Sequence, residues 1–140
     1  MVTARIEMPS LEEVQTFYQQ IGGEQAVRDL VDRFYDLMDI EPGFKELRDT
    51  HGASLEPARM KLFLFLSGWM GGPELYIERF GHPRLRQRHM PFSIGTLERD
   101  QWLQCMAQAM QDQAIPEPIY EKMLAAFYGI ADWMRNREDW

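Results

Sequence analysis

Cysteine is almost missing from this sequence: Cys105 is the single one in 140 residues. One thiol excludes an internal disulfide and a four-cysteine zinc site, and it suits a reducing compartment. Long apolar runs are absent too. No stretch approaches the ~20 residues of a membrane span. Residues 1–10, with Arg5, Glu7 and Pro9, lack the apolar centre of a signal peptide. The expectation is a soluble, cytoplasmic protein with no membrane partner. Positive charge is the third shortage, with 15 Lys and Arg against 22 Asp and Glu and a formal charge of −7. That balance argues against nucleic acid as a partner, because non-specific binding needs basic surface to displace counterions. Solubility is reason enough for the acidic excess. Period-2 strands, internal repeats, low-complexity segments and linkers are all lacking.

What remains is helical periodicity. At 140 residues and 45% hydrophobic, the chain suits one all-α domain over 1–140, with 1–10 and 136–140 as loose ends and a core able to enclose a small cofactor. Ser10 to Glu13 has the form of a capping box, predicting a first helix that reaches Gln20 and stops at Gly22 and Gly23. From Glu24, Val27, Leu30, Val31, Phe34, Tyr35 and Met38 recur at helical spacing. Pro42 and Gly43 break that helix, with one further turn over Phe44 to Arg48 and a loop around Thr50 to Ser54. A third long helix starts near Glu56 or Pro57. Its stripe is Ala58, Leu62, Phe65 and Trp69, widened by Phe63 and Leu66, and it stops at Gly71-Gly72-Pro73. A short helix follows over Glu74 to Phe80, then a short basic one ended by Pro91. Thr96 reads as the N-cap of a helix reaching about Gln113, with Trp102, Met106, Ala109 and Met110 on one face. Beyond Pro116, Ile119, Met123, Ala126, Phe127, Ile130 and Met134 trace the inner stripe of the last helix.

Three histidines carry the chemistry available: His51, His82 and His89. Gly81-His82-Pro83 reads as a turn. A zinc site through His82 and His89 would need two more ligands, and the sequence does not place His51 or Cys105 beside them. His89 stands apart. Arg79, Arg84, Arg86 and Arg88 lie close before it, Pro91 and Phe92 fix the exit of the chain, and Ile94 adds apolar wall. The arginines read first as a solvated helix face, and more sharply as counter-charges for an anionic ligand beside the imidazole. Neutral imidazole is a normal axial ligand of haem iron, with its second nitrogen oriented by an acceptor. No Cys-x-x-Cys-His is present, which excludes covalent haem attachment. On periodicity alone Tyr35 and Trp102 are core residues, yet a buried phenol or indole N–H wants a hydrogen-bond partner.

The order and spacing of several motifs decide between these readings. They are Phe17 to Gly23, Arg33-Phe34-Tyr35, Phe65 to Pro73, Tyr76, Gly81 to Arg86, Arg88-His89-Met90-Pro91-Phe92, and Arg99-Asp100-Gln101-Trp102-Leu103. Over nearly the whole chain this pattern resembles the group II truncated haemoglobins. The resemblance implies a two-over-two helical sandwich, a truncated globin holding haem b through His89. It also implies a distal pocket of Tyr35 and Trp102, with Ala58 and Leu62 from the third long helix and Phe65 beside them. His51, reached across a gap in the loop, matches a position that is often aromatic or histidine. Lys61 and Arg88 match positions that pair with haem propionates, which suits arginine's planar fork, and Arg86 is a further candidate.

Two haem functions follow from the resemblance. One is reversible binding of oxygen, carbon monoxide or nitric oxide, with oxygen held tightly by Tyr35 and Trp102 for sensing, scavenging or redox work. The other is enzymatic, a peroxidase or a nitric oxide dioxygenase, with Tyr35, Trp102 and His51 as proton donors or acid–base groups. The second would draw electrons from a separate reductase. A helical interaction module, with its ten methionines serving only as core, is the reading without haem. Monomer and homodimer both fit.

Overall fold

A computed structural model of the chain describes residues 15–84 and 94–133. The expected start of a helix at Ser10, the basic helix with Arg86, Arg88, His89 and Phe92, Met134, and the two loose ends lie outside the described residues. Among the described residues the α-helices are, in order, α1 (Phe17–Ile21), α2 (Glu24–Ile40), α3 (Lys45–Asp49), α4 (Glu56–Trp69), α5 (Leu75–Phe80), α6 (Thr96–Asp112) and α7 (Glu117–Trp133). A 3-10 turn, Pro42–Phe44, joins α2 to α3. Helix α2 packs on α4 on one side and on α6 on the other, and α6 packs on α7, giving two helix pairs laid over one another. Among the described residues there is no strand, and no helix is long and apolar enough to cross a membrane.

Helix α2 organises the core because both its neighbours need an apolar face. Val27, Leu30, Val31, Phe34, Leu37 and Met38 are buried along it, and each large side chain removed from water is worth about 1.5–3 kcal/mol. Gly22, in the left-handed region at φ 119°, ends α1 and turns the chain into α2. Met106, Ala109 and Met110 of α6, with Met123 and Phe127 of α7, complete the interior. The Cys105 thiol donates to the Phe34 carbonyl at 3.2 Å, and burial pushes it up to about 12. The thiolate is the reactive form, so DTNB added to the folded protein at about pH 8 should release no thiol colour. One equivalent should react once guanidinium unfolds the chain; prompt reaction of the folded protein would contradict this packing.

Three local expectations change. Helix α1 begins at Phe17, since Gln15 and Thr16 are not helical. A reciprocal cap forms there, with Thr16 Oγ1 accepting the Gln19 N–H at 3.2 Å and Gln19 Oε1 accepting the Thr16 N–H at 3.0 Å. Thr96 is the first residue of α6, not its cap. Gly95 holds the extended cap position, and its N–H donates to the buried Glu98 carboxylate at 2.7 Å. In α4 the buried residues are Phe63, Leu66 and Ser67, while the stripe of Ala58, Leu62, Phe65 and Trp69 is only half-buried.

The stop after α4 forms as the glycines dictate. Gly71 takes φ 95°, its N–H donates to Gly68 O, and the Gly72 N–H donates to Ser67 O at 2.8 Å. A side chain at Gly72 would run into the Tyr18 ring, which packs α1 against this corner.

Candidate functional site

The site grows from two adjacent residues of α2. Phe34 is buried, and its ring meets Trp102 of α6 at 5.3 Å between centroids. Tyr35 is 5% exposed and sits edge-on to Phe34 at 5.0 Å. His51, in the loop after α3, stands edge-on to Tyr35 at 6.0 Å. His51, Tyr35, Phe34 and Trp102 therefore form one continuous run of ring contacts across three separate parts of the chain. The structure brings together the three polar aromatics singled out in the sequence. Trp102 also meets Phe127 at 5.5 Å, so α7 backs its ring.

Burial pushes the Tyr35 phenol far up, with the nearby Cys105 adding to the rise and the Arg59 guanidinium opposing it. The hydroxyl thus stays protonated and able to donate at every ordinary pH. Among the described residues neither the Tyr35 hydroxyl nor the Trp102 indole N–H makes a hydrogen bond. Trp102 is half-buried, and neither donor atom is sealed in the core, so both tips are free to meet a small ligand acceptor.

His51 is fixed from its Nδ1 side, which lies 3.1 Å from Leu47 O and 3.2 Å from Thr50 Oγ1. The Thr50 hydroxyl gives its own proton to Leu47 O at 2.7 Å. Both Nδ1 neighbours are then acceptors, which assigns the proton to Nδ1 and makes Nε2 the acceptor of the neutral ring. Leu47 itself is held by Gln101, whose Oε1 accepts the Leu47 N–H at 2.9 Å while its Nε2 donates to Glu46 at 2.8 Å. Gln101 was not visible as a site residue in the sequence. It stands next to Trp102 and ties the His51 loop to α6.

Helix α4 packs against α2, which carries Tyr35. Ala58, Leu62 and Phe65 are half-buried, as is Ile94 just before α6. Lys61 is exposed, with its Nζ 5.9 Å from the Phe80 ring. A half-covered apolar stripe beside two unpaired donors suits a flat apolar cofactor carrying a small polar ligand, so the residues present fit haem. They do not suit zinc. His82 is exposed, with Nδ1 accepting the Arg84 N–H at 3.1 Å, and Cys105 is buried between α2 and α6. Among the described residues no group of three His, Cys, Asp or Glu could hold a metal ion. His89, Arg86, Arg88 and Phe92 lie outside the described residues.

Arg59 is the second residue that the sequence hid. It follows Ala58 on α4 and bonds to both Asp32 and Asp36 of α2. Its signal, a carboxylate pair four residues apart facing one guanidinium, appears only once α2 and α4 are adjacent.

Comparison with known proteins gives one family and several similar structures. Residues 16–136 match the family model described as bacterial-like globin. The group 2 truncated hemoglobin YjbI of Bacillus subtilis is 35% identical over 122 residues, covering 87% of this chain and 89% of that protein. A group II 2-on-2 hemoglobin from Agrobacterium tumefaciens superposes with a TM-score of 0.88 at 40% identity, covering 92% of this chain and 100% of that one. A truncated oxygen-avid haemoglobin from Bacillus subtilis superposes with a TM-score of 0.80 at 35% identity, over 87% and 100% of the two chains.

Proposed function

This chain belongs to the bacterial-like globin family, with the two-over-two fold of the group II truncated haemoglobins, and on that premise we propose that it is a haem b protein retaining oxygen through Tyr35 and Trp102. The observation that carries the reading is the pair of donors gathered around Phe34, on a helix packed against α4 with its half-buried stripe. When bound, haem supplies an iron that takes oxygen, carbon monoxide or nitric oxide.

The chain's own residues do the rest. His89, in the connection between α5 and α6, would hold the iron through its imidazole, and Phe92 and Ile94 would add apolar surface for the cofactor. Arg88 and Lys61, with Arg86, neutralise the propionates. Ala58 leaves room beside the ligand where a larger side chain would crowd it, and Leu62 and Phe65 exclude water. The Tyr35 hydroxyl and the Trp102 N–H donate to the partial negative charge that bound oxygen carries. Each such bond is worth about 1.5–3 kcal/mol. His51, presenting Nε2 as an acceptor, competes for the Tyr35 proton and sets how fully the phenol is directed at the ligand. Slow release suits sensing, scavenging or redox work better than carriage. The oxygen-avid relative supports this reading.

Haemin titrated into the apoprotein tests it. The expected result is a Soret band that saturates at one haemin per chain, and a ferrous form that takes carbon monoxide. No band after reconstitution would remove the haem reading altogether.

A further inference from the structure

We propose that Arg59 is a positioning residue for Tyr35: it clamps the turn of α2 that carries the phenol to the first turns of α4, and so fixes where the hydroxyl points. The inference rests on Tyr35 being the oxygen-retaining donor. Asp32 and Asp36 lie three residues before and one after Tyr35, on the exposed flank of α2. Arg59 grips both. Nη1 donates to Asp32 Oδ1 at 2.9 Å and to the Asp32 carbonyl at 3.2 Å, and Nη2 donates to Asp36 Oδ1 at 3.2 Å. The same guanidinium lies 5.8 Å from the centre of the Tyr35 ring.

Isolated surface ion pairs contribute little to stability. This one differs in geometry. The Arg59 side chain is only 22% exposed, against 58% and 57% for its two partners, so the arginine reaches outward from between the helices. A planar fork on two carboxylates and one carbonyl fixes direction in a way that a point charge does not. Its Nε is buried without a hydrogen bond, 3.5 Å from Glu56, so the hold on α2 comes from the two terminal nitrogens alone. The positive charge beside the ring also favours the polarised phenol, making Tyr35 a stronger donor than burial alone would leave it. Because Arg59 adjoins Ala58 in the first turn of α4, a shift of the clamp moves that turn as well as the Tyr35 turn of α2.

A double-mutant cycle of Arg59→Met with Tyr35→Phe tests the idea in the haem-loaded protein. It reads the oxygen dissociation rate and the infrared C–O stretch of the carbon monoxide complex. Arg59→Met should speed oxygen release about tenfold and shift or split the stretch, and it should do neither in the Tyr35→Phe background. Arg59→Lys, which keeps the charge but not the fork, should restore the stretch only in part. A purely structural Arg59 would lower the unfolding midpoint and leave the rate within about twofold, and that result overturns the proposal. So does an equal acceleration in both backgrounds. Fast release from Tyr35→Phe with a silent Arg59→Met sinks this inference alone, whereas a silent Tyr35→Phe sinks it together with the retention role of Tyr35. Should Arg59→Met not fold, Asp32→Asn and Asp36→Asn each loosen one arm. Each should then speed release about threefold, and only with Tyr35 present, by the same criterion.

Discussion

The His89→Ala protein, purified from cells supplied with haem precursor, is expected to lose the Soret band of the parent. Its affinity for haemin should fall on the order of 100-fold or more. Changing even a residue that only orients a metal ligand typically costs 10–100-fold in affinity, and here the ligand itself is removed. On the proposed reading, the apolar stripe of α4, Phe92, Ile94 and the propionate partners would still hold a porphyrin without tying its iron. Free imidazole in the buffer should therefore restore much of the spectrum, since it can take the place of the lost ring. The other two histidines are the internal controls. His82 is exposed and occupied with the Arg84 N–H, and His51 is tied through Nδ1 to the α3 turn. His82→Ala and His51→Ala should each keep the band. A full Soret band in His89→Ala, or its loss in either control, would move the axial ligand away from His89.

Much of the fold was legible because its longest elements obey one rule. Along α2 the apolar residues recur every three or four positions between a glycine pair and Pro42, and the helix occupies Glu24–Ile40 as that pattern requires. The less legible points share a physical cause, a choice settled by a partner distant in sequence. The stripe of α4 was readable, but which of its faces meets α2 was not; Phe63 and Leu66 take the core, and the more regular run of Ala58, Leu62 and Phe65 stays half-covered. At α6 the hydroxyl of Thr96 fits a cap by composition, yet the cap position falls one residue earlier, on Gly95, whose N–H is taken by the Glu98 carboxylate. In the site, Tyr35 and Trp102 look like ordinary core on spacing alone. Phe34, touching both rings, explains why the two descriptions coexist: each residue is packed on its apolar edge and polar at its tip. Gln101 and Arg59 stayed hidden because a polar side chain at helical spacing reads as solvent-facing. Only tertiary contact turns one into the tether of the His51 loop and the other into the link between α2 and α4.

Tyr35→Phe is expected to release oxygen roughly ten- to a hundredfold faster than the parent, read by stopped-flow displacement with carbon monoxide. The substitution removes one hydroxyl and keeps the ring edge-on to Phe34, so the change in rate isolates the hydrogen bond from packing. Trp102→Phe should also speed release, by a similar factor, although its smaller ring loosens the contacts with Phe34 and Phe127 as well. Both donors address the same acceptor, so the double variant should be faster than either single one without reaching the product of their factors. Alkaline pH gives a second check. Burial holds the Tyr35 phenol far above its ordinary value. The donor therefore stays protonated at about pH 10, where a free tyrosine is half ionised, and persists above it. Release from the parent should stay flat from neutral pH to about pH 10. A phenol with an ordinary pKa would instead lose its proton near that upper limit and give an accelerating branch, which Tyr35→Phe would abolish. Unchanged release in both Tyr35→Phe and Trp102→Phe would mean that neither donor reaches the ligand.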